Sequence, residues 1–365
     1  MLTYRHYDPY KDVDFKGQLA DADATVTQVH CVNGNSLFVC DDERLFAVGT
    51  PNTGANKWAD AYEQKKDFYE IQKPDDCTDY RKVVVSPTNR LILTNSGQLF
   101  CQGENLRLYA DPDIDKDAPA KEFVDCTEVF PVEDGDKIVD VAAANFFTVV
   151  VTEQGLAYAV GHCRYRSHYA HIPGLDARQP AYQLDLPGRA TKCFGTKPYS
   201  MAFVQVEDDA GGKAVYAGHE FLSMYETRQI QFAGRDTSGD RRYGENDVRQ
   251  PFTKIDFPAS IDLVRAENFA NGQNMLALDT TGTLWIWGYK FYNRYADEYG
   301  ESGVENVQIF EDYKNEWTPC RVDWFEKKGM KVLDFACTET FAPLLVQDAN
   351  GAKSVWFMSH PNYGY

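Results

Sequence analysis

Two short segments carry metal-binding residue types at suggestive spacings. In the first, aspartate occupies every second position from Asp111 to Asp117, and Glu122 follows at the twelfth position, as in an EF-hand calcium loop. Lys116, however, stands at the sixth position, where that loop needs a glycine, and no amphipathic helix flanks the segment. We therefore expect a solvated acidic loop without calcium.

The second segment holds His162, Cys163, His168 and His171 within ten residues. Zinc ligands come in pairs two to five positions apart. His168 and His171 have this spacing, but the remaining two residues, His162 and Cys163, are adjacent and do not form a second such pair. Arginines and a tyrosine occupy positions 164–166. The pattern favours a basic surface loop, with contact to a partner as one use, over a metal site.

Motifs for covalent or nucleotide chemistry do not occur in the sequence. There is no nucleophile elbow, no glycine loop that cradles phosphate and no dinucleotide fingerprint. Gly211-Gly212 lies between two predicted strands, where it forms a hairpin tip. Acidic residues are too numerous to single out an acid–base pair. The sequence therefore predicts a protein that is not an enzyme and needs no cofactor or metal.

Aromatic and arginine residues concentrate in two long segments, about 219–250 and 289–318. These residue types are enriched in protein interfaces, and loops longer than about 15 residues tend to be functional. Ordinary packing of the rings over the rim of the fold is the alternative. We predict that the two segments form the main partner-binding surface. The candidate binding residues are Arg241, Arg242, Tyr243, Tyr289, Phe291, Tyr292, Arg294, Tyr295 and Tyr299.

The scaffold that positions these residues is built from a repeated unit. In its clearest copy, Ile261–Val264 is followed by Met275–Leu278, a turn ending at Gly282, and Leu284–Trp287, which Gly288 closes. The first copy has Glu43 in place of the turn glycine. The closing residues of the six copies are Gly49, Gly103, Gly161, Gly218, Gly288 and Ser359, spaced 54 to 71 positions apart.

A second block precedes most copies and begins with proline. It occurs at Pro9–Phe15, Pro180–Leu186, Pro251–Phe257 and Pro319–Trp324, with weaker equivalents near 69–71 and 128–130. Each unit thus offers about four short alternating strands, as in a β-propeller blade. A β-solenoid would need shorter repeats, of roughly 20–30 residues.

We therefore predict an all-β fold, a single β-propeller domain over 1–365 with four-stranded antiparallel blades. Six blades fit the two block types. Seven would require an eroded blade within 219–260 or 289–331. The N-terminal and C-terminal units are expected to meet and close the ring.

Composition limits the partners. The formal net charge of −18 opposes binding to nucleic acid or to an anionic membrane, and it favours a protein partner with a basic surface. The longest apolar run, 146–152, is too short to cross a bilayer, and no secretory signal is visible. Nine cysteines without a C-x-x-C pair indicate free thiols in a reducing, intracellular compartment.

The repeats resemble those of the regulator of chromosome condensation family. Gly282 and Gly288 match that family's two punctuating glycines, and Trp285 and Trp287 match its aromatic strand. The resemblance extends over almost the whole chain. Asn35, Asn89 and Asn274 stand where the family usually has histidine, and Gly103-Glu-Asn105 is the nearest remnant of its Gly-Gln-Leu-Gly loop.

The resemblance implies two functions. Many relatives are interaction platforms in ubiquitin ligases, ciliary assemblies and organelle complexes, which implies a non-catalytic protein-interaction scaffold, a subunit of a larger assembly. The family's prototype is a nucleotide-exchange factor, so guanine-nucleotide exchange on a small GTPase is the alternative. No exchange-site residue can be carried over, because the loops that would hold it have diverged. The same relatives make a cytoplasmic or cytoskeletal and ciliary location the expectation.

Overall fold

The computed structural model divides the chain into two compact units. The first contains Met1–Arg166 and Asp176–Leu184, and the second contains Ser167–Leu175 and Asp185–Tyr365. The residues that the structure describes are 25–32, 35–41, 43–49, 69–75, 77, 79–103, 106–109, 120–144, 147–161, 181–195, 201–219, 252–269, 274–291, 294–298, 307–310, 314–337 and 341–359.

The first unit holds three four-stranded antiparallel sheets. Sheet one is β1 (Val26–Val32), β2 (Asn35–Cys40), β3 (Leu45–Val48) and β4 (Tyr69–Ile71). Sheet two is β5 (Lys82–Val85), β6 (Asn89–Leu93), β7 (Leu99–Gly103) and β8 (Ala120–Asp125). Sheet three is β9 (Ile138–Ala143), β10 (Phe147–Thr152), β11 (Ala157–Gly161) and β12 (Tyr182–Gln183). Two 3-10 turns, η1 (Leu106–Tyr109) and η2 (Thr127–Val129), flank β8.

The second unit holds the other three sheets. Sheet four is β13 (Arg189–Gly195), β14 (Met201–Glu207), β15 (Lys213–His219) and β16 (Thr253–Lys254). Sheet five is β17 (Leu263–Phe269), β18 (Asn274–Asp279), β19 (Leu284–Phe291) and β22 (Lys314–Val322). Sheet six is β23 (Lys331–Phe335), β24 (Phe341–Gln347) and β25 (Lys353–Ser359), extended by β20 (Arg294–Glu298) and β21 (Val307–Phe310). One helical turn, α1 (Trp324–Lys327), precedes β23.

Six blades and an all-β propeller fold are therefore confirmed. In each sheet except the sixth, four consecutive strands pair in chain order, apart from the two strands inserted between β19 and β22. Segment 289–331, one place where a seventh blade could have lain, supplies strands to sheets five and six.

The apolar faces of neighbouring sheets pack on each other within each unit. Leu91, Leu93 and Leu99 of sheet two lie in one cluster with Val141 and Val150 of sheet three, and all five side chains are fully buried. The strand alternation read from the sequence places these residues on one face. Burial of each such side chain contributes roughly 1.5–3 kcal/mol, so the contacts between sheets supply the main stabilisation.

The proline-led blocks form the fourth strands. Blocks beginning at Pro180, Pro251 and Pro319 supply β12, β16 and part of β22, and residues 69–71 are β4. The weak block near 128–130 is different, because η2 covers most of it and β8 has already supplied the fourth strand. Val129 and Phe130 are buried by this 3-10 turn, and Pro131, which lacks an N–H, could not continue a strand.

The fourth strand of sheet six comes from an unexpected place. β20, which belongs to the segment between β19 and β22, pairs antiparallel with β25 from Tyr295↔Ser359 to Glu298↔Trp356. Segment 289–318 is therefore partly strand rather than a simple loop. Residues 1–24, with the Pro9 block, lie outside the described residues, so closure by the N- and C-terminal units stays a prediction.

Candidate interaction surface

In all six sheets, successive strands run antiparallel, so the connections segregate to two ends. In each sheet, connections from strand one to strand two and from strand three to strand four lie at one end, which we call the long-connection end of that sheet. Hairpins from strand two to strand three lie at the opposite end of the same sheet, its turn end. In sheets one to four, the connections between strands three and four are 49–68, 104–119, 162–181 and 220–252, or 16 to 33 residues each, whereas in sheet five β20 and β21 lie between those strands. The turn-end hairpins have four or five residues.

Local chemistry explains the tight turn end. The Asp279 carboxylate accepts hydrogen bonds from the Thr281 and Thr283 backbone N–H groups, and Gly282 has φ +84°, which glycine tolerates without strain. In sheet one, Glu43 occupies the corresponding conformation at φ 63°. Sheet one therefore has the same turn conformation without the turn glycine, and Glu43 adopts a left-handed backbone conformation that is strained for a residue with a side chain.

The predicted binding residues fall into two groups. Tyr289 and Phe291 lie on the last residues of β19, beyond Gly288, while Arg294 and Tyr295 lie on β20. All four are near the long-connection end, since Tyr295 pairs with the last residue of β25. The other five candidates, Tyr292, Tyr299, Arg241, Arg242 and Tyr243, lie outside the described residues. The binding role of all nine stays a prediction.

The two metal-like segments fall largely outside the described residues. Asp111–Asp117 and 162–171 belong to long connections, and only Glu122 of the first pattern is described, exposed on β8. Within the described part of the chain, no three His, Cys, Asp or Glu side chains converge as a metal site. That part also holds no helix with the length and apolar character needed to cross a membrane.

A buried arginine anchors the long-connection end of sheets one and two. Arg90, on β6, is 0% exposed, and its Nε donates to the Asn35 Oδ1 at 2.7 Å. Its Nη1 donates to Gln102 Oε1 and to the Tyr69 hydroxyl, each at 3.0 Å, and its Nη2 donates to the Gly49 carbonyl at 2.9 Å. The hydrogen bonds join two sheets through one rigid, planar group.

The same arginine fixes both ends of one long connection. Gly49 is the residue that follows β3, and Tyr69 is the first residue of β4, so these two positions bracket 50–68. The Tyr69 hydroxyl also donates to the Gly49 carbonyl at 3.0 Å. Sequence reasoning missed this cluster, although its signal was present: a charged Arg90 directly before the apolar residues 91–93 of the same strand.

Two of the repeat asparagines noted in the sequence are buried in sheets one and two. Asn35 is fully buried, and its Nδ2 donates to the Ser86 carbonyl at 2.9 Å, which ties β2 to the loop that follows β5. Asn89 is 3% exposed, and no donor among the described residues reaches its buried Oδ1. The Asn35 amide thus links the two sheets.

A polar residue occurs at one equivalent position of the first strand in all six sheets, and we call these six residues the polar row. In each, one residue of the first strand pairs with the fifth residue of the second strand, and a β-bulge precedes it in five of the six. Bulges re-aim side chains, here away from the apolar face. The residues in this row are Gln28, Lys82, Asp140, Lys192, Arg265 and Asp334.

Neighbouring members of the row form ion pairs within each unit. The Lys82 ammonium lies 2.6 Å from the Asp140 carboxylate in the first unit, and the Arg265 guanidinium lies 3.1 Å from the Asp334 carboxylate in the second. Arg265 also pairs with the buried Glu267 at 2.6 Å. Burial opposes ionisation of Arg265, but Glu267 and Asp334 outweigh it and raise its pKa above the ordinary value.

Lys192, the row member in sheet four, reaches a different carboxylate. Its ammonium lies 2.7 Å from Asp262, the residue before β17, and the Lys213 ammonium approaches the same group at 2.6 Å. Gln205 donates to Asp262 at 3.0 Å. Burial alone would raise the pKa of Asp262, but these three donors hold it well below its usual range. The row and its partners therefore stabilise contacts between neighbouring sheets within each unit.

Comparison with known proteins identifies the fold. No protein-family model and no curated protein matches the sequence. Yeast RCC1 (Prp20) in complex with Kap60 superposes with a TM-score of 0.58 and 12% identity, over 93% of this chain and 71% of that one. Prp20p of Saccharomyces cerevisiae gives 0.56 and 13%, over 94% and 70%. Human WBSCR16 gives 0.53 and 16%, over 92% and 72%. The chain is a divergent β-propeller with the fold of the regulator of chromosome condensation structures.

Proposed function

We propose that this protein is a non-catalytic interaction scaffold that binds a protein partner through its long-connection end. The observation that carries the proposal is the asymmetry between the two ends. In sheets one to four, the connections between strands three and four have 16 to 33 residues, whereas the hairpins between strands two and three, at the opposite end of each sheet, have four or five. Loops on a rigid frame are where propellers vary their binding chemistry.

The Arg90 cluster supports this assignment. A guanidinium that is 0% exposed and bound to both Gly49 and Tyr69 fixes the two ends of a long connection. Fixed loop ends reduce the conformational entropy that a loop loses on binding. The frame thus fixes the two points, Gly49 and Tyr69, between which this connection runs.

Two of the similar structures are of a protein described with protein partners. Prp20 is recorded bound to Kap60, and a second Prp20p structure is described together with binding to Gsp1p and histones. Those partners belong to Prp20. For this chain they support a protein as the class of partner.

The test compares two ends of the same molecule. One variant replaces 220–251 with a Gly-Ser turn and leaves β15 and β16 intact. The matched control changes the turn end through Asn95→Gly and Ser96→Gly. Shortening 289–318 is avoided, because β20 belongs to sheet six and its loss would disturb the frame.

Partners are isolated from native extract with each folded variant and then confirmed with purified components. We expect the loop variant to lose at least one saturable partner that wild type and the turn-end control both keep. Equal binding by all three would move the interface elsewhere. Accelerated nucleotide release from a small GTPase at catalytic concentrations of the chain would replace the scaffold by the exchange-factor alternative.

A further inference from the structure

The outermost strand of sheet six has an edge that no other described strand covers. β21 pairs with β20 through Arg294↔Phe310, Tyr295↔Gln308 and Ala296↔Val307, and it ends the strand order of that sheet. An edge strand presents a row of backbone N–H and C=O groups to any extended chain that can align with it. This edge is thus a template for pairing with another segment.

The sequence of β21 favours such pairing. Val307, Ile309 and Phe310 are β-branched or aromatic, the types that pleated surfaces prefer. Edge strands are commonly blunted by lysine, by proline or by short length. Of the fourth strands in sheets one to five, β4, β12 and β16 have only two or three residues, and the longer β8 and β22 contain lysine or proline. β21 has four residues and contains neither lysine nor proline.

The sequence on either side of β21 is acidic. From 294 to 314 it contains six carboxylates against two cations, Arg294 and Lys314; the carboxylates are Asp297, Glu298, Glu301, Glu305, Glu311 and Asp312. A second copy placed edge to edge would bring two such acidic segments together, which repulsion opposes. A basic extended segment is the occupant that complements this net negative charge, which precedes and follows β21 in the sequence.

We propose that the β21 edge binds an extended, basic segment of a partner protein by adding it as a strand to sheet six. Backbone hydrogen bonds would supply affinity, as in other cases of strand addition, and the carboxylates would supply preference for lysine and arginine. The inference deepens the proposed scaffold function and depends on it, because it names the kind of partner segment bound.

The test uses the full-length chain and a synthetic probe. The probe is the fluorescently labelled peptide Lys-Val-Lys-Ile-Lys-Val-Lys, and binding is measured by anisotropy. One control peptide has the same sequence with N-methyl groups on alternate residues, which removes backbone donors but keeps every charge. A second control replaces each lysine with glutamate.

Two variants of the chain with the same net charge test whether the position of the carboxylates matters. Glu305→Lys with Glu311→Lys reverses the charge on both sides of β21. Glu133→Lys with Asp134→Lys makes the same change in net charge at two exposed residues of the turn end. We expect the first variant to bind the probe at least about tenfold more weakly than wild type, and the second to stay within about twofold.

Several outcomes would overturn the proposal. Equal binding of the N-methylated peptide would show charge attraction without strand addition, and equal weakening by both variants would show a general charge effect. A dimer of the wild-type chain in light scattering that is lost on Gln308→Pro would assign the edge to a second copy. Partners captured equally by wild type and by Glu305→Lys/Glu311→Lys would refute this edge and leave the scaffold proposal standing, whereas failure of the 220–251 loop test would refute binding through the long connections.

Discussion

Replacing Arg90 by methionine tests whether the buried guanidinium holds the first two sheets together. Methionine resembles the arginine stem in length and flexibility, but it donates no hydrogen bond. The change leaves the Asn35 and Gln102 amide oxygens, now 2.7 and 3.0 Å from their donors, without those donors. The Gly49 carbonyl keeps the Tyr69 hydroxyl.

The expected cost follows from these contacts. Each buried acceptor that loses its donor lowers the free energy of unfolding by about 1–3 kcal/mol. Part of this loss is offset, because the variant no longer has to bury a charged group away from water. We expect Arg90→Met to lower the free energy of unfolding of the first unit by about 3 kcal/mol. The matched control is Lys82→Met, which breaks a partly exposed pair with Asp140 and should cost about 0–1 kcal/mol.

Urea unfolding followed by far-ultraviolet circular dichroism measures the difference. The two units need not unfold together, so the transition that shifts must be resolved and its slope compared with wild type. Limited proteolysis gives a second readout, since cleavage within 50–68 should be faster in Arg90→Met than in Lys82→Met. If both variants lose the same stability and resist protease equally, water replaces the guanidinium and the reasoning is wrong.

Further predictions concern single positions. The pKa of Asp262 in the folded state lies below its unfolded value of about 3.9, so its contribution to the free energy of unfolding is present above that pH and is lost as the pH falls. Asp262→Asn should therefore flatten the acid limb of a stability–pH curve, and an unchanged limb would refute this. Gly97→Ala should cost more than Gly135→Ala by about 1–3 kcal/mol, since both have positive φ but only Gly97 would place a Cβ 2.8 Å from a neighbour; equal melting curves would contradict it. Glu43→Gly should raise the unfolding midpoint by relieving a left-handed conformation worth about 1 kcal/mol, and a lower midpoint would show that the exposed Lys73 pair matters more.

The frame was largely predictable because its signals are local. These signals are the period-two alternation, the turn glycines such as Gly97 and Gly282, and the closing residues. Each depends on the conformation of a few consecutive residues, so it can be recognised from the sequence alone. The blocks at Pro180, Pro251 and Pro319 were likewise recognisable as strands, since each places one apolar residue where a sheet face buries it. Leu184, Ile255 and Val322 are those residues, and all three are buried.

Three features were decided by the tertiary structure alone. β20 pairs with β25 across 60 positions of sequence, and nothing in Arg294–Glu298 distinguishes a partner in sheet six from one in sheet five. The role of Arg90 depends on Asn35 and Gly49, which belong to another sheet and are distant in the sequence. The polar row was visible only as a polar position in each first strand, and its pairing of Lys82 with Asp140 follows from the way neighbouring sheets pack. Which strands and which charged groups pair depends on how whole sheets pack together, and that packing is determined by the apolar area buried over entire sheets. The alternation within one strand, by contrast, depends only on residues that are adjacent in the chain.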